Sequence, residues 1–412
     1  MRRKALWIAA TGACILGAGA LIREAGLSER SQALAQQAAR LLHPPFDEAP
    51  AFQDIRATEA RMLVDEAEEL AATSDTRRLW IEARALEHLQ RGNPAEARRE
   101  LTRASPAGSL RTLAAAIELA DRKLDAADQL VTAALKEGAE PRALAVASDI
   151  ARERGQADRA LALAEQGVAA HPSASLFERR GLARELLGEL PAARADLERA
   201  AKLDARPTSS LLHLGRVLRD LGDLRGAVLA YSAATQRNPS ESEAWLGSGI
   251  CRVGLGDNVG ARADFERAEE LAPTRAAPVI GLGDLDAAER AWESAERHYR
   301  VATKLEPQLA LGWLKLGNTL LRRGQTSAAT AAYREAIARQ PELAAAHNGL
   351  GAALQAQGDP ETARAELEQA AKLDPHDPNP LYNLARLFRQ QGDAEAADTA
   401  LARAQARAPE TQ

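Results

Sequence analysis

Prolines recur along the second half of the chain at a fixed interval: Pro239, Pro273, Pro307, Pro341, Pro375 and Pro409 stand 34 residues apart, and Pro172 lies two repeats before the first of them. A period this strict restricts the chain to stacked copies of one supersecondary unit, each burying its apolar face on its neighbours. Other columns keep the same step, save for one of 33 at the start of each. Alanine recurs from Ala160 and Ala193 to Ala397, and again from Ala200 to Ala404 with Gly167 ahead of it. Glycine recurs from Gly181 to Gly351, with Ser148 and Ala385 at the two ends of its column.

The columns have a physical reading as two antiparallel helices per unit. In the unit spanning 244–273, the pattern predicts a first helix over about 244–255 and a second over about 258–271. Gly256-Asp257 supplies the turn between them, because glycine tolerates positive φ after a helix and aspartate caps the next one. The small residues Gly249 and Ala261 let the two backbones approach closely, and Pro273 stops the second helix. Apolar residues make up 46% of the chain and aromatics only 3%, so the core must be mostly Ala and Leu. Half of the aromatics fall in two columns: Phe177, Trp245 and Trp313 near the start of the first helix, and Tyr231, Phe265, Tyr299 and Tyr333 in the second. These are read as core and not as a cofactor box.

The pattern W/F…L-G…A…Y/F…A…P at 34 residues resembles the tetratricopeptide repeat family, and residues 311–341 (LGWLKLGNTLLRRGQTSAATAAYREAIARQP) match it at nearly every signature position. The resemblance implies an all-α fold, an α-solenoid of antiparallel helix pairs wound into a tetratricopeptide repeat superhelix. It is specific for fold and nearly silent on function. Eight repeats are expected over 141–409, and two degenerate ones over 76–140, where 79–104 and 113–135 keep Ala97 and Ala127 in the alanine column. One unit departs from the pattern: Arg290-Ala291 stands where its neighbours have Gly followed by Asp or Gln, which leaves its turn geometry open.

Ahead of the repeats, Arg2, Arg3 and Lys4 precede an uncharged run over 5–22. As a helix, 18 residues span about 27 Å, close to a hydrocarbon core of about 30 Å. Residues 1–22 are therefore expected to be a transmembrane anchor or signal peptide, with the basic end in the cytoplasm and the repeats on the periplasmic, extracytoplasmic side of the inner membrane. Ala18 and Ala20 offer a cleavage site, which would release a periplasmic or secreted protein, and a lipoprotein cysteine at Cys14 is a third reading. Residues 23–75 are read as juxtamembrane helices around a proline-rich hinge at 43–50, and 410–412 as a short tail.

Little in the sequence points to catalysis. Lys plus Arg number 53 against 58 for Asp plus Glu, a net charge of −5 that provides no field for nucleic acid. The seven histidines show no metal-ligand spacing, and Cys14 and Cys251 cannot form a framework of disulfides. The glycines between 247 and 260 follow no strand, so they are not a phosphate loop. No cofactor is expected, and the chain is not expected to be an enzyme.

What a solenoid offers is surface, with the first helices lining its concave side. The middle of that groove is expected to be apolar, through Leu246, Ile250, Val253 and then Ile280. The C-terminal third differs. There Lys315, Asn318 and Arg322 are followed by Asn348 and Gln355, and then by Asn379, Tyr382, Asn383, Arg386 and Arg389. Amides that satisfy a peptide backbone beside arginines that pair with carboxylates suit an extended peptide with an acidic or C-terminal carboxylate group. The two-carboxylate clamp that some family members use for chaperone tails is not reproduced residue for residue.

The expected function is thus a membrane-tethered scaffold that holds partner proteins or peptides for an envelope, secretion or maturation complex, with self-association through the last repeat as a further possibility. The alternatives are a cleaved peptide-binding protein and a regulatory module of an enzyme system such as a glycosyltransferase.

Overall fold

The structure is a computed structural model that describes residue 85 and residues 93–101, 109–138, 140–203 and 208–407. The expected anchor, the juxtamembrane helices and hinge, most of the first degenerate repeat and everything from Pro409 onward lie outside the described residues. Among the described residues the regular structure is entirely α-helical, in nineteen helices. None of them is long and apolar enough to cross a membrane.

The chain divides into two units that meet at Asp223 and Leu224. The first contains α1 (Pro94–Leu101), α2 (Ser109–Ala120), α3 (Leu124–Glu137), α4 (Pro141–Glu153), α5 (Ala157–Ala170), α6 (Ala174–Leu186), α7 (Leu190–Leu203) and α8 (Ser209–Asp220). The second opens with α9 (Leu224–Arg237), α10 (Ser242–Gly254), α11 (Asn258–Leu271), α12 (Ala276–Ala288), α13 (Trp292–Leu305) and α14 (Ala310–Arg322). It continues through α15 (Thr326–Arg339), α16 (Ala344–Gln357), α17 (Pro360–Leu373), α18 (Asn379–Gln391) and α19 (Ala394–Arg407). Each unit is a stack of antiparallel helix pairs. The second helix at 258–271 matches its expected bounds, while its partner starts two residues earlier than the pattern predicts.

The alanine columns are the contact lines. Ala160, Ala193, Ala261, Ala295, Ala329, Ala363 and Ala397 are all fully buried. A Cβ on Gly351 would lie 3.0 Å from the carbonyl oxygen of Ala363, and one on Gly181 3.2 Å from that of Ala193, so the two backbones do touch at the glycine column. Where serine takes the glycine's place, at Ser148, its hydroxyl donates to the Ala160 carbonyl at 2.8 Å and turns the same approach into a hydrogen bond.

In the units that carry an aromatic ring, glycines make room for the ring. Phe265 lies between Gly249 and Gly281, where added Cβ atoms would stand 2.6 and 2.8 Å from ring carbons. Tyr333 lies between Gly317 and Gly349 in the same way, at 2.7 and 2.4 Å. Each ring therefore joins its own helix pair to the first helix of the next, which is why ring and glycine share one period.

The other aromatic column is half-buried and works at the junction between pairs. The indole N–H groups of Trp245 and Trp313 donate to the carbonyls of Pro239 and Pro307, each at 3.0 Å. His347 occupies the same column and places Nε2 3.0 Å from the Pro341 carbonyl and Nδ1 2.6 Å from Glu366. Each ring nitrogen thus faces an oxygen, one from the preceding loop and one from the second helix of its own pair.

The turn at Gly256 has φ +78°, the left-handed conformation that glycine adopts without cost. Asp257 then accepts from the Gly260 N–H at 2.9 Å as a side-chain cap. The departing unit makes the same turn without either device: Arg290 takes φ +60°, and Ala291 has no side chain to cap α13.

Candidate functional site

Within the second unit the first helices α10, α12, α14, α16 and α18 pack on one another in order, so their outer turns form one continuous face. The rings described above feed polar atoms onto it. Tyr299 donates its hydroxyl to Asp284 at 2.6 Å, and Tyr333 donates to Asn318 at 2.8 Å. Asp284 and Asn318 are equivalent positions 34 residues apart, and one period earlier the position is Ile250, opposite Phe265, a ring with no hydroxyl. In these three units the acceptor stands opposite the two rings that have a proton to give. Burial pushes both tyrosine hydroxyls well above their ordinary range, and Asp284 adds to the effect at Tyr299, so both remain fixed donors.

The expected groove residues divide by placement. Ile250 and Val253 are exposed on α10, at 44% and 41%, whereas Leu246 is half-buried against the Phe265 cluster. Ile280 is a correction: at 6% exposure it belongs to the core with Val279 and Tyr299, because α12 turns that position into its neighbours. Lys315 is held by Asp284 at 2.9 Å. Asn383 donates to Asn348 at 2.8 Å, while Gln355 donates to Gln390 at 2.6 Å and accepts from two guanidinium nitrogens of Arg386 at 3.3 and 3.1 Å. Asn379 turns away to bond Asp377 at the start of α18. Tyr382, Arg322 and Arg389 are exposed, and Arg389 has only a loose ion pair at 3.8 Å with Asp398 of its own pair.

The cationic C-terminal third is expected from the sequence; what that expectation does not state is that its first helices carry no acid. Helices α14, α16 and α18 contain no Asp or Glu at all, yet carry Lys315, Arg322, Arg386 and Arg389. In a chain of net charge −5 this face is cationic, because the acids sit on the second helices and the loops. Leu311 was missed as well; it is 42% exposed at the start of α14. The 34-residue register of Asn379 would have found it, since Leu311 lies two periods earlier.

The corresponding face of the first unit is neutralised from within. Asp149 on α4 pairs with Arg179 on α6 at 2.7 Å, and Glu185 on α6 pairs with Arg216 on α8 at 2.6 Å. Glu178 is pushed above the usual carboxylate range by burial, which hydrogen bonds from Ser209 and Ser210 only partly offset. Among the described residues no group of three or more His, Cys, Asp or Glu side chains could hold a metal ion, and Cys251 is a buried thiol.

Comparison with known proteins agrees with this geometry. Profiles described as tetratricopeptide repeat match residues 145–210, 212–276 and 314–378, and a second profile of the same description matches 354–412. No curated protein matches the chain in sequence. Among solved structures, the Cut9–Hcn1 hetero-tetramer of the APC/C is 15% identical with a TM-score of 0.52, covering 87% of this chain and 83% of that one. A tetratricopeptide repeat protein of Parabacteroides merdae is 16% identical with a TM-score of 0.48, covering 63% of this chain and 98% of that one. Yeast Tom70 is 16% identical with a TM-score of 0.47, covering 92% of each. At these identities the likeness is one of fold.

Proposed function

The chain belongs to the tetratricopeptide repeat family, and from that premise we propose that it is a non-catalytic scaffold that binds partner proteins or peptides on the first-helix face of its second unit. The observation that carries this reading is the acid-free face of α14, α16 and α18, where exposed arginines stand beside paired amides. Such a surface has donors in excess of its acceptors and no carboxylate on these helices to neutralise its arginines. The basic residues ahead of the apolar run over 5–22 support a tether in the inner membrane with the repeats on the periplasmic side, where the scaffold would assemble an envelope, secretion or maturation complex.

Affinity capture from solubilised membranes tests the scaffold. It should return a stoichiometric protein partner that is lost with the double variant Arg386→Glu, Arg389→Glu; failure to recover any partner across several growth conditions would count against the reading. A second form of it is favoured by Ala18 and Ala20, which permit cleavage and a freed periplasmic protein. The mass of the mature N-terminus decides between the two, since an intact residue 5–22 segment requires the tether.

A further inference from the structure

The five first helices of the second unit do not present one chemistry but two, side by side. On α10, Ile250 and Val253 leave two-fifths or more of their surface exposed. On α14, α16 and α18 there is no carboxylate, and Arg322, Arg386 and Arg389 are exposed. Between the halves, Asp284 holds Lys315 at 2.9 Å, a neutral pair that leaves neither charge free for a ligand. A partner that used only one half would leave either exposed aliphatic carbons or unpaired arginines at the edge of its footprint.

The amides determine what shape of chain fits. Asn383 spends one N–H on the Asn348 oxygen, so Asn348 keeps its own amide donors and Asn383 its oxygen. A donor and an acceptor side by side serve a backbone whose N–H and C=O groups are unpaired, which an extended segment has and a helix lacks. Arg386 is held at its guanidinium by Gln355, so its head is oriented before a ligand arrives. Four steps between five packed helices, at roughly 10 Å each, span about 40 Å, or about twelve extended residues at roughly 3.3 Å apiece.

The geometry points to a bipartite ligand: an extended protein segment of about a dozen residues with an apolar block seated on α10, a crossing of α12 at the neutral Asp284–Lys315 pair, and an acidic block seated on α14, α16 and α18. This rests on the scaffold reading of the same face and adds to it the order of chemistry within the partner. The arginines attract and the apolar half anchors, so affinity should fall with salt but not vanish.

Fluorescence anisotropy with the full chain and three labelled twelve-residue peptides provides the test. One carries a Leu/Val block followed by a Glu/Asp block, the second has the same composition with the two types alternating, and the third is all acidic. The blocked peptide should bind at least about tenfold more tightly than the other two. Arg386→Glu with Arg389→Glu should remove that preference, and Ile250→Asp with Val253→Asp should reduce the blocked peptide to the affinity of the acidic one. All four positions are exposed, and unchanged circular dichroism verifies that the variants fold. Equal binding of blocked and alternating peptides overturns the inference, as does binding of none of them. Association with anionic phosphatidylglycerol vesicles that is tighter than with any peptide and is lost in the Arg386→Glu, Arg389→Glu variant also overturns it and assigns the face to a lipid surface. A partner recovered by affinity capture that contains no such segment leaves the scaffold standing while the bipartite ligand fails.

Discussion

Asp264 on α11 and Glu296 on α13 occupy neighbouring second helices, are both almost fully buried, and should answer pH in opposite senses. Burial pushes the Asp264 carboxyl up, and the Ser248 hydroxyl and Arg252 only partly offset it. Its contribution to stability is therefore full at low pH and is lost as pH rises through the raised folded value. Burial acts the same way on Glu296, but hydrogen bonds from Arg300 and Arg323 outweigh it and hold that carboxyl low, so its contribution is full near neutrality and is lost as pH falls through the depressed folded value. In urea unfolding, Asp264→Asn should thus gain on the parent as pH rises from about 4 to about 7, and Glu296→Gln should lose ground on the parent as pH rises from about 3 to about 5. A shared direction for the two would refute the assignment. The packing of glycine on ring allows a second check. Gly249→Ala places a methyl against Phe265 and should cost about 1–3 kcal/mol, and Phe265→Leu in the same chain should recover part of it, as a double-mutant cycle would measure. The period of glycine and ring is written in the sequence. The difference between the two buried acids is not, because Glu296 receives, besides Arg300 of its own helix, the guanidinium of Arg323 from the end of the next first helix.

Helices and turns were the most legible level, since a 34-residue step fixes where each helix must end. The positions of α11 and of the turn at Gly256 follow from one glycine, one aspartate and one proline. What the pattern left open was the turn at Arg290, where the signature residues are missing. The structure shows the reason it still closes: the helices on either side are positioned by Ala295 and Tyr299 in the core, and the backbone at Arg290 accepts φ +60° to join them. A side chain in that conformation is disfavoured, and α13 also starts without a side-chain cap. Restoring the family pattern with Arg290→Gly and Ala291→Asp should therefore stabilise the protein by about 1–2 kcal/mol, visible as a raised urea midpoint. The groove face was legible only in part. Its arginines and amides could be placed by register, but Ile280 entered the core because α12 offers mostly Ala and Gly at that face and its neighbours close over it. The pairing of Lys315 with Asp284 links helices 31 residues apart, a contact that no local pattern announces.

At the scale of the whole chain, the substantial helix contacts among the described residues run only between elements one or two places apart in sequence. Stability in such an array is a sum of local terms, in contrast to a globule where one damaged contact weakens the common core. The same arrangement lets neighbouring stretches differ in surface chemistry, so a first unit whose first helices pair their charges with one another can coexist in one chain with a second unit whose last three first helices carry no carboxylate. Both features lead to one measurable consequence. Gly249→Ala forces a methyl into the contact between α10 and α11, and the loss should spread to α9, α12 and the helices next to them, then fade. Hydrogen exchange followed by mass spectrometry should show faster exchange in peptides from α9 to α13, while peptides from α2 to α5 exchange as in the parent. Uniform acceleration along the chain would mean that the units unfold as one cooperative body, and the reading of this protein as a set of locally supported helix pairs would have to be abandoned.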